Sequence, residues 1–266
     1  MAHIDKSFTL DHLSFSQLYT FSNCPYKWYL SKVQRVPMRP TYSMVSGRAV
    51  HKGLETNNLE LQAGMVGLTP GEIIEVAVTE MEQTHQVEEM TSPDGVVMKL
   101  ATAKDMMCKQ LDAPVRTYKN ETEPALLEDK GEIVAAEQRL EFEILGVPFE
   151  GVVDMVQAKG FLDYKLQTRR KSSHQIAYDP QLRLYESVLH LPGEFIQLIR
   201  GARKSERAPV PTDADAARGV QKWVESIVAG IKQALASGVF PRCTPGKWEC
   251  SKKACPFFRK CWSEQS

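Results

Sequence analysis

Apolar and polar positions along this chain follow two different periods. In the middle, Glu132 to Ile144 alternates, and Val147 to Gln157 and Phe161 to Leu166 are rich in β-branched and aromatic residues, so each reads as a strand. Leu145-Gly146 supplies the first turn between them and Ala158-Lys159-Gly160 the second, which makes the latter pair a β-hairpin. Glu194 to Arg200 adds another strand. Elsewhere apolar residues recur at helical spacing. Ser14 to Leu30 predicts a helix with Ser14 at the N-cap, Gln17 three residues on, apolar surface from Leu18, Phe21, Tyr26 and Tyr29, and a kink or division at Pro25. Ser46 to Glu60 predicts a second, opened by Ser46-Gly47, with His51 and Glu55 one turn apart on one face. Thr69-Pro70-Gly71-Glu72 is a capping box whose apolar stripe (Ile73, Ile74, Ala77, Val78, Met81) runs on to about Met90. Val96 to Tyr118 predicts a further helical segment, broken near Pro114, with Met98, Met106 and Met107 in the core and Cys108 a buried thiol. Tyr178 to His190, with Pro180 in its first turn, sets Gln181 and Tyr185 on one face. Thr212 to Ser237 completes the set, capped at Thr212 or Asp213 and ended by Gly238. Strands mixed with helices in this order predict an α/β fold.

Composition narrows the class. The 266 residues can bury a sizeable interior, and 42% hydrophobic with 25% charged residues are globular values. No apolar run approaches a membrane span, and MAHIDKSFTL lacks the apolar core of a signal peptide, so the expected setting is cytoplasmic, with no membrane partner. There, six cysteines read as thiols or metal ligands rather than disulfides. Thirty-three basic residues balance 33 acidic ones, so net charge does not point to nucleic acid, but distribution does. Arg169, Arg170 and Lys171, then Arg200, Arg203, Lys204 and Arg207, then Lys252, Lys253, Arg259 and Lys260 form clusters able to follow a phosphate backbone. Taken singly, such a cluster is more often a solvated face.

Candidate chemistry concentrates in the hairpin. If Ala158 and Lys159 form a two-residue loop, Gln157 pairs with Gly160 and Asp154 lies opposite Asp163, with Cβ atoms about 5 Å apart. A loop that takes in Gly160 would shift this register. Asp163 and Lys165 share one face of their strand, and Tyr164 points to the other. Paired carboxylates suit a hard divalent cation such as Mg²⁺ or Mn²⁺. Phosphodiester cleavage uses such an ion to polarise a phosphoryl oxygen and acidify a water, which Lys165 can orient or whose developing charge it can offset. An isolated D-x-K is far more often a solvated hairpin, so its neighbours decide.

GVVD at 151–154 followed by LDYK at 162–165 resembles the core motif of the PD-(D/E)XK nuclease superfamily, in its RecB-like branch. SFSQLYTFSNCPYKWYL resembles the opening helix of that branch, GRAVHKGLE its G-x-x-x-H helix and PQLRLYE its Q-x-x-x-Y motif. By pattern the chain is similar to CRISPR-associated spacer-acquisition nucleases, the AddB nuclease domain and stand-alone phage exonucleases. The resemblance implies a restriction-endonuclease-like mixed central sheet flanked by helices. It implies one nuclease domain over residues 1–266, with a helical insertion at 61–130 and a C-terminal cysteine segment at 240–266 completed by Cys24. A lone helical histidine is usually structural, but the resemblance makes His51 a metal ligand with Asp154 and Asp163, and Tyr164 belongs to the same metal set. Lys165 is catalytic, and Gln181 and Tyr185 contact DNA or support the site beside it. Some relatives carry a glutamate in this strand, which implies that Glu137 or Glu141 reaches the metal, although alternation turns both toward solvent.

FPRCTPGKWECSKKACPFFRKCW holds Cys243, Cys250, Cys255 and Cys261, a local set for which zinc is the default. The resemblance implies instead that Cys24, Cys250, Cys255 and Cys261 hold a 4Fe-4S cluster, leaving Cys243 spare. Trp248, Phe257, Phe258 and Trp262 are placed to shield it. The expected activity is that of a metal-dependent deoxyribonuclease, an exonuclease on single strands or duplex ends. Its setting would be recombination and repair, phage DNA processing or CRISPR adaptation. No G-x-x-x-x-G-K-[ST] loop occurs, so unwinding would fall to a helicase partner; a CRISPR-adaptation protein is the other partner implied. The alternative is a DNA-binding or assembly subunit with a vestigial nuclease core, against which the intact Asp154, Asp163 and Lys165 argue.

Overall fold

Capping chemistry and proline set the boundaries at the N-terminal end. The structure is a computed structural model that describes residues 8–84, 89–202 and 204–263. The first helix, α1 (Phe15–Asn23), begins after Ser14, but Ser14 makes no side-chain cap and the expected capping box is not formed. Gln17 is turned inward instead: it accepts from the indole N–H of buried Trp28 and donates to the His12 carbonyl. A buried indole needs an acceptor, and that need claims Gln17. Pro25 divides the segment, so α2 (Pro25–Trp28) follows and runs into a π-helical turn at Tyr29–Val33. Cys24 caps α2, its sulfur accepting from Lys27 N at 3.3 Å.

Helix α3 (Tyr42–Gln62) starts ahead of Ser46, because Thr41 caps it and buried Ser46 bonds back to the Tyr42 carbonyl at 2.6 Å. Helix α4 (Pro70–Thr84) opens on the expected box, with Thr69 N donating to Glu72 Oε2 at 2.7 Å and Glu72 N to Thr69 Oγ1 at 3.3 Å. A Cβ on Gly53 would come within 2.5 Å of the Ile73 carbonyl oxygen, so α3 and α4 meet backbone to backbone there. The expected continuation to Met90 fails: residues 85–88 lie outside the described residues, and Met90 belongs to strand β1 (Glu89–Thr91), paired antiparallel with β2 (Val97–Lys99). Met98 is thus a strand residue.

Helix α5 (Leu100–Thr117) contains Pro114 without breaking at it. Proline withholds the N–H that would serve the Gln110 carbonyl, and Gly201 N donates to that carbonyl at 3.2 Å, so the helix continues. A π-helical turn at Tyr118–Thr122 leads into α6 (Glu123–Lys130). Met107 is buried, Met98 and Met106 pack against the same core, and Cys108 is half-buried rather than buried.

Strands β3 (Ile133–Ile144), β4 (Val147–Gln157), β5 (Gly160–Gln167), β6 (Gly193–Ile199) and β7 (Ser205–Pro209) form a five-stranded sheet in that order. β5 and β6 are parallel, whereas β4 with β5 and β6 with β7 are antiparallel, so the sheet is mixed. The β3–β4 turn has left-handed backbone at both Leu145 and Gly146, as a two-residue hairpin turn requires. Between β5 and β6 the chain makes α7 (Ser173–Ala177), capped by Ser172, and α8 (Pro180–Leu189), capped by Asp179 and closed by left-handed His190. Helix α9 (Ala214–Ser237) is capped by Asp213 and followed by left-handed Gly238, and α10 (Phe258–Ser263) comes last.

Contacts divide the chain into two compact units. One comprises 1–39, 141–151 and 219–266, the other 40–140 and 152–218. The second holds a core of residues such as Leu54, Ile73, Met107, Leu111, Leu162 and Ile196, all fully buried. Among the described residues no helix is long and apolar enough to cross a membrane.

Candidate active site

Hairpin register builds the site. Gln157 pairs with Gly160, Val156 with Phe161 and Met155 with Leu162, so Ala158 and Lys159 are the two-residue loop and Asp154 falls beside Asp163. Both carboxylates are deeply buried, 5% and 1% exposed. Asp154 Oδ2 accepts from Tyr164 N at 2.6 Å, and its Oδ1 lies 2.9 Å from Nδ1 of His51 on α3. Lys165 Nζ stands 2.6 Å from Asp163 Oδ2 in an ion pair without hydrogen-bond geometry, so that buried oxygen has no hydrogen-bond partner. Helix α8 supplies the rest. Lys165 donates to Gln181 Oε1 at 3.0 Å, Gln181 Nε2 donates to Tyr185 Oη at 3.2 Å, and Tyr185 donates to the Val152 carbonyl at 3.0 Å.

Alternation sends Tyr164 to the opposite face, where its hydroxyl meets Tyr118 Oη at 2.7 Å and donates to Asn58 Oδ1 at 3.2 Å. Any part Tyr164 takes in metal binding therefore falls to its backbone. Glu55 is held by Lys52 at 2.9 Å.

The charges are interdependent. Burial tends to raise Asp154, but the charge and hydrogen bond of His51, helped by Lys165 and Tyr164 N, outweigh it and lower its pKa. Burial pushes Asp163 up to about 6, with Lys165 opposing and Asp154 adding to the rise. Burial works to lower Lys165, yet Asp163 and Asp154 hold its pKa above the ordinary value, so it is a fixed cation at neutral pH. Two carboxylates and an imidazole form an oxygen-rich donor set that fits a hard divalent cation. Among the described residues no three His, Cys, Asp or Glu side chains converge as a ready chelate. His51 and Lys165 are each turned onto one of the two carboxylates.

Two nearby residues, Lys171 and Asp179, were not foreseen in these positions. Lys171 pairs with Asp179 at 2.6 Å and lies 4.4 Å above the Phe195 ring, while Asp179 Oδ1 accepts from Gln181 N, so this pair steadies the start of α8. Composition marked Lys171 only as a basic residue. Glu137, expected to face solvent, has left-handed backbone and a pKa raised to about 7 by burial and by Asp154 and Glu55, which places it near the site. No residue pattern signals that bend. Glu141 is exposed, as expected.

The middle basic clusters are largely engaged in ion pairs. Arg170 meets Glu206 at 3.0 Å, Arg207 is held by Glu194 at 2.6 Å and Asp129 at 2.7 Å, and Arg200 stacks over Tyr42 at 5.2 Å. Arg203 lies outside the described residues.

In the other unit, Cys24, Cys243, Cys250, Cys255 and Cys261 line one cavity of about 490 Å³, together with Phe257, Phe258 and Trp262. Trp248 is 62% exposed and does not line it. Cys243 lines the same cavity as Cys24 and Cys250, and burial together with these neighbouring thiols pushes it up to about 12. Five thiols around one cavity fit a thiophilic centre.

The sequence profile of the PD-(D/E)XK nuclease superfamily matches residues 12–261, from ahead of α1 into α10. The chain belongs to the PD-(D/E)XK nuclease superfamily. No curated protein matches it significantly. Among solved structures it resembles the "putative exonuclease" of Eubacterium rectale, 12% identical, with a TM-score of 0.60 over 91% of this chain and 87% of that one. At that identity the likeness speaks for the fold alone. A protein designated SSO0001 is 15% identical over 55% of this chain and 67% of its own, with a TM-score of 0.33 that carries no argument. PD-(D/E)XK nucleases generally use divalent metals, and the mixed sheet flanked by helices is the restriction-endonuclease-like architecture expected of them.

Proposed function

We propose that this PD-(D/E)XK nuclease is a divalent-metal-dependent deoxyribonuclease that works as an exonuclease on single strands or duplex ends, served by Mg²⁺ or Mn²⁺. The observation that carries the reading is Asp154 beside Asp163, with His51 on one carboxylate and Lys165 on the other. In this reading Asp154, Asp163 and His51 hold the cation, with a backbone contribution from Tyr164. When bound, the ion supplies Lewis acidity to a phosphoryl oxygen and lowers the pKa of a water. Lys165, kept protonated by its carboxylates and held by Gln181, faces the charge that grows on the phosphate during cleavage. Tyr185 fixes Gln181 and thereby the ammonium.

The same reading gives Cys24, Cys250, Cys255 and Cys261 to a 4Fe-4S cluster, with zinc as the competing occupant, and supports it on the shared thiol cavity. One nuclease domain would then carry a helical insertion at 61–130 and a cluster segment at 240–266. A cytoplasmic role in recombination, phage DNA processing or CRISPR adaptation, beside a helicase or adaptation partner, follows from the family resemblance.

End-labelled single-stranded and duplex DNA incubated with Mg²⁺ or Mn²⁺ tests the proposal. Mononucleotide release from ends that stops with EDTA is expected. Cleavage unaffected by EDTA, or none on any DNA with either metal, would overturn it.

A further inference from the structure

Cys243 has no role in the cluster as proposed, yet the fold holds it among the ligands. Phe240 stacks on Tyr29 at 4.7 Å and on Trp28 at 6.2 Å. The Pro241 carbonyl accepts from Tyr26 N at 3.0 Å, and the Arg242 guanidinium lies 5.0 Å over the Tyr26 ring. Residues 240–242 are therefore clamped onto α2, the helix that Cys24 caps, and the next residue is Cys243. Ring stacking and a backbone hydrogen bond set this placement, so it does not depend on metal. Cys243 thereby lines the same cavity as Cys24, Cys250, Cys255 and Cys261.

From this cluster of side chains we infer that Cys243 is a reserve ligand, interchangeable with Cys24 at one corner of the thiophilic centre that Cys250, Cys255 and Cys261 complete; the inference rests on the cluster reading above. A thiolate exchange needs the incoming sulfur already beside the outgoing one, which avoids the cost of ordering a distant side chain. The exchange balances without an oxidant. With a metal bound, Cys243 would give up its thiol proton on ligation and the released Cys24 thiolate would take one up. Cys108, the remaining cysteine, does not line the cavity and serves as a control.

The test is metal content and visible absorption of the full chain purified without oxygen, with iron, acid-labile sulfide and zinc measured per chain and far-ultraviolet circular dichroism confirming the fold. Cys24→Ala and Cys243→Ala should each retain most of the wild-type metal, Cys24→Ala with an altered absorption band, while the double variant loses it and Cys108→Ala changes nothing. Complete loss in Cys24→Ala alone or in Cys243→Ala alone would overturn interchangeability while leaving a metal centre in place, as would full retention in the double variant. Wild-type protein with neither iron nor zinc would sink the cluster reading itself. Should a variant fold poorly, Cys24→Ser and Cys243→Ser, which keep the side-chain volume closer, are read in the same way.

Discussion

Nδ1 of His51 lies 2.9 Å from Oδ1 of Asp154, across 103 residues of sequence. In the metal-free chain each group stabilises the charged form of the other. Burial acts to lower His51, but the charge and hydrogen bond of Asp154 raise it; burial acts to raise Asp154, but His51 lowers it.

The sign of the pH dependence follows. The raised His51 pKa gives stability that is full below the ordinary histidine value of 6.5 and is lost as pH rises through the folded value. The lowered Asp154 pKa gives stability present above 3.8 and lost as pH falls through its folded value. The pair therefore stabilises the fold best between these two limits. Melting temperature measured in EDTA should fall on the alkaline side, and His51→Ala should remove that fall; an unchanged alkaline slope in the variant would refute the assignment.

Asp154→Ala, Asp163→Ala and Lys165→Ala should each lower DNA cleavage by about 10²-fold or more while circular dichroism stays native. Asp163→Asn should in addition leave the metal-free melting temperature at neutral pH unchanged or higher, since its carboxyl is pushed up to about 6 by burial and ionises at a cost. Wild-type cleavage by Asp163→Ala in Mn²⁺ would remove this site from the reaction.

Gln181 acts through Lys165, so Gln181→Ala should reduce kcat by about 10-fold to 10²-fold with little change in KM. Asp179→Ala, which removes the cap of α8 and the partner of Lys171, should cost about 1 kcal/mol of stability and lower kcat in the same direction. Equal kcat in wild type and Gln181→Ala would show that the amide does not position the ammonium.

Glu137 carries a pKa raised to about 7 by burial and the neighbouring carboxylates. A raised carboxyl pKa makes the fold less stable as pH climbs from the ordinary glutamate value toward 7. Glu137→Gln should flatten that decline in metal-free melting curves. A decline identical to wild type would place the titration elsewhere.

DNA affinity should drop steeply with salt although the net charge is zero, because binding releases counterions wherever lysine and arginine meet phosphate. Binding that is flat from low to moderate salt would count against a groove that follows the backbone.

The carboxylate pair was legible because a two-residue loop fixes antiparallel register, and Gln157 with Gly160 is the pairing found. His51 was legible only through resemblance, since nothing local announces that α3 will meet a strand 103 residues away. Strand β7 was missed because Ser-Glu-Arg-Ala-Pro has no apolar alternation; it is held by pairing with β6 and by Arg207 between Glu194 and Asp129. Pro114 misled for a related reason. The donor that replaces its missing N–H comes from Gly201, outside the helix. The resemblance leaves Cys243 spare, and the ring packing on Trp28 and Tyr29 that seats it in the cavity lies far from it in sequence.

The two-residue loop also orders events in time. A hairpin closes on the order of microseconds, whereas contacts between distant segments wait for larger loops to close. Asp154 and Asp163 should thus align early, and the imidazole on α3 should dock later. A refolding chain should therefore hold the acid pair before His51 of α3 is seated against it. Pulse-labelled hydrogen exchange should show β4 and β5 amides protected before DNA cleavage appears; simultaneous onset would mean that hairpin and helix dock in one step.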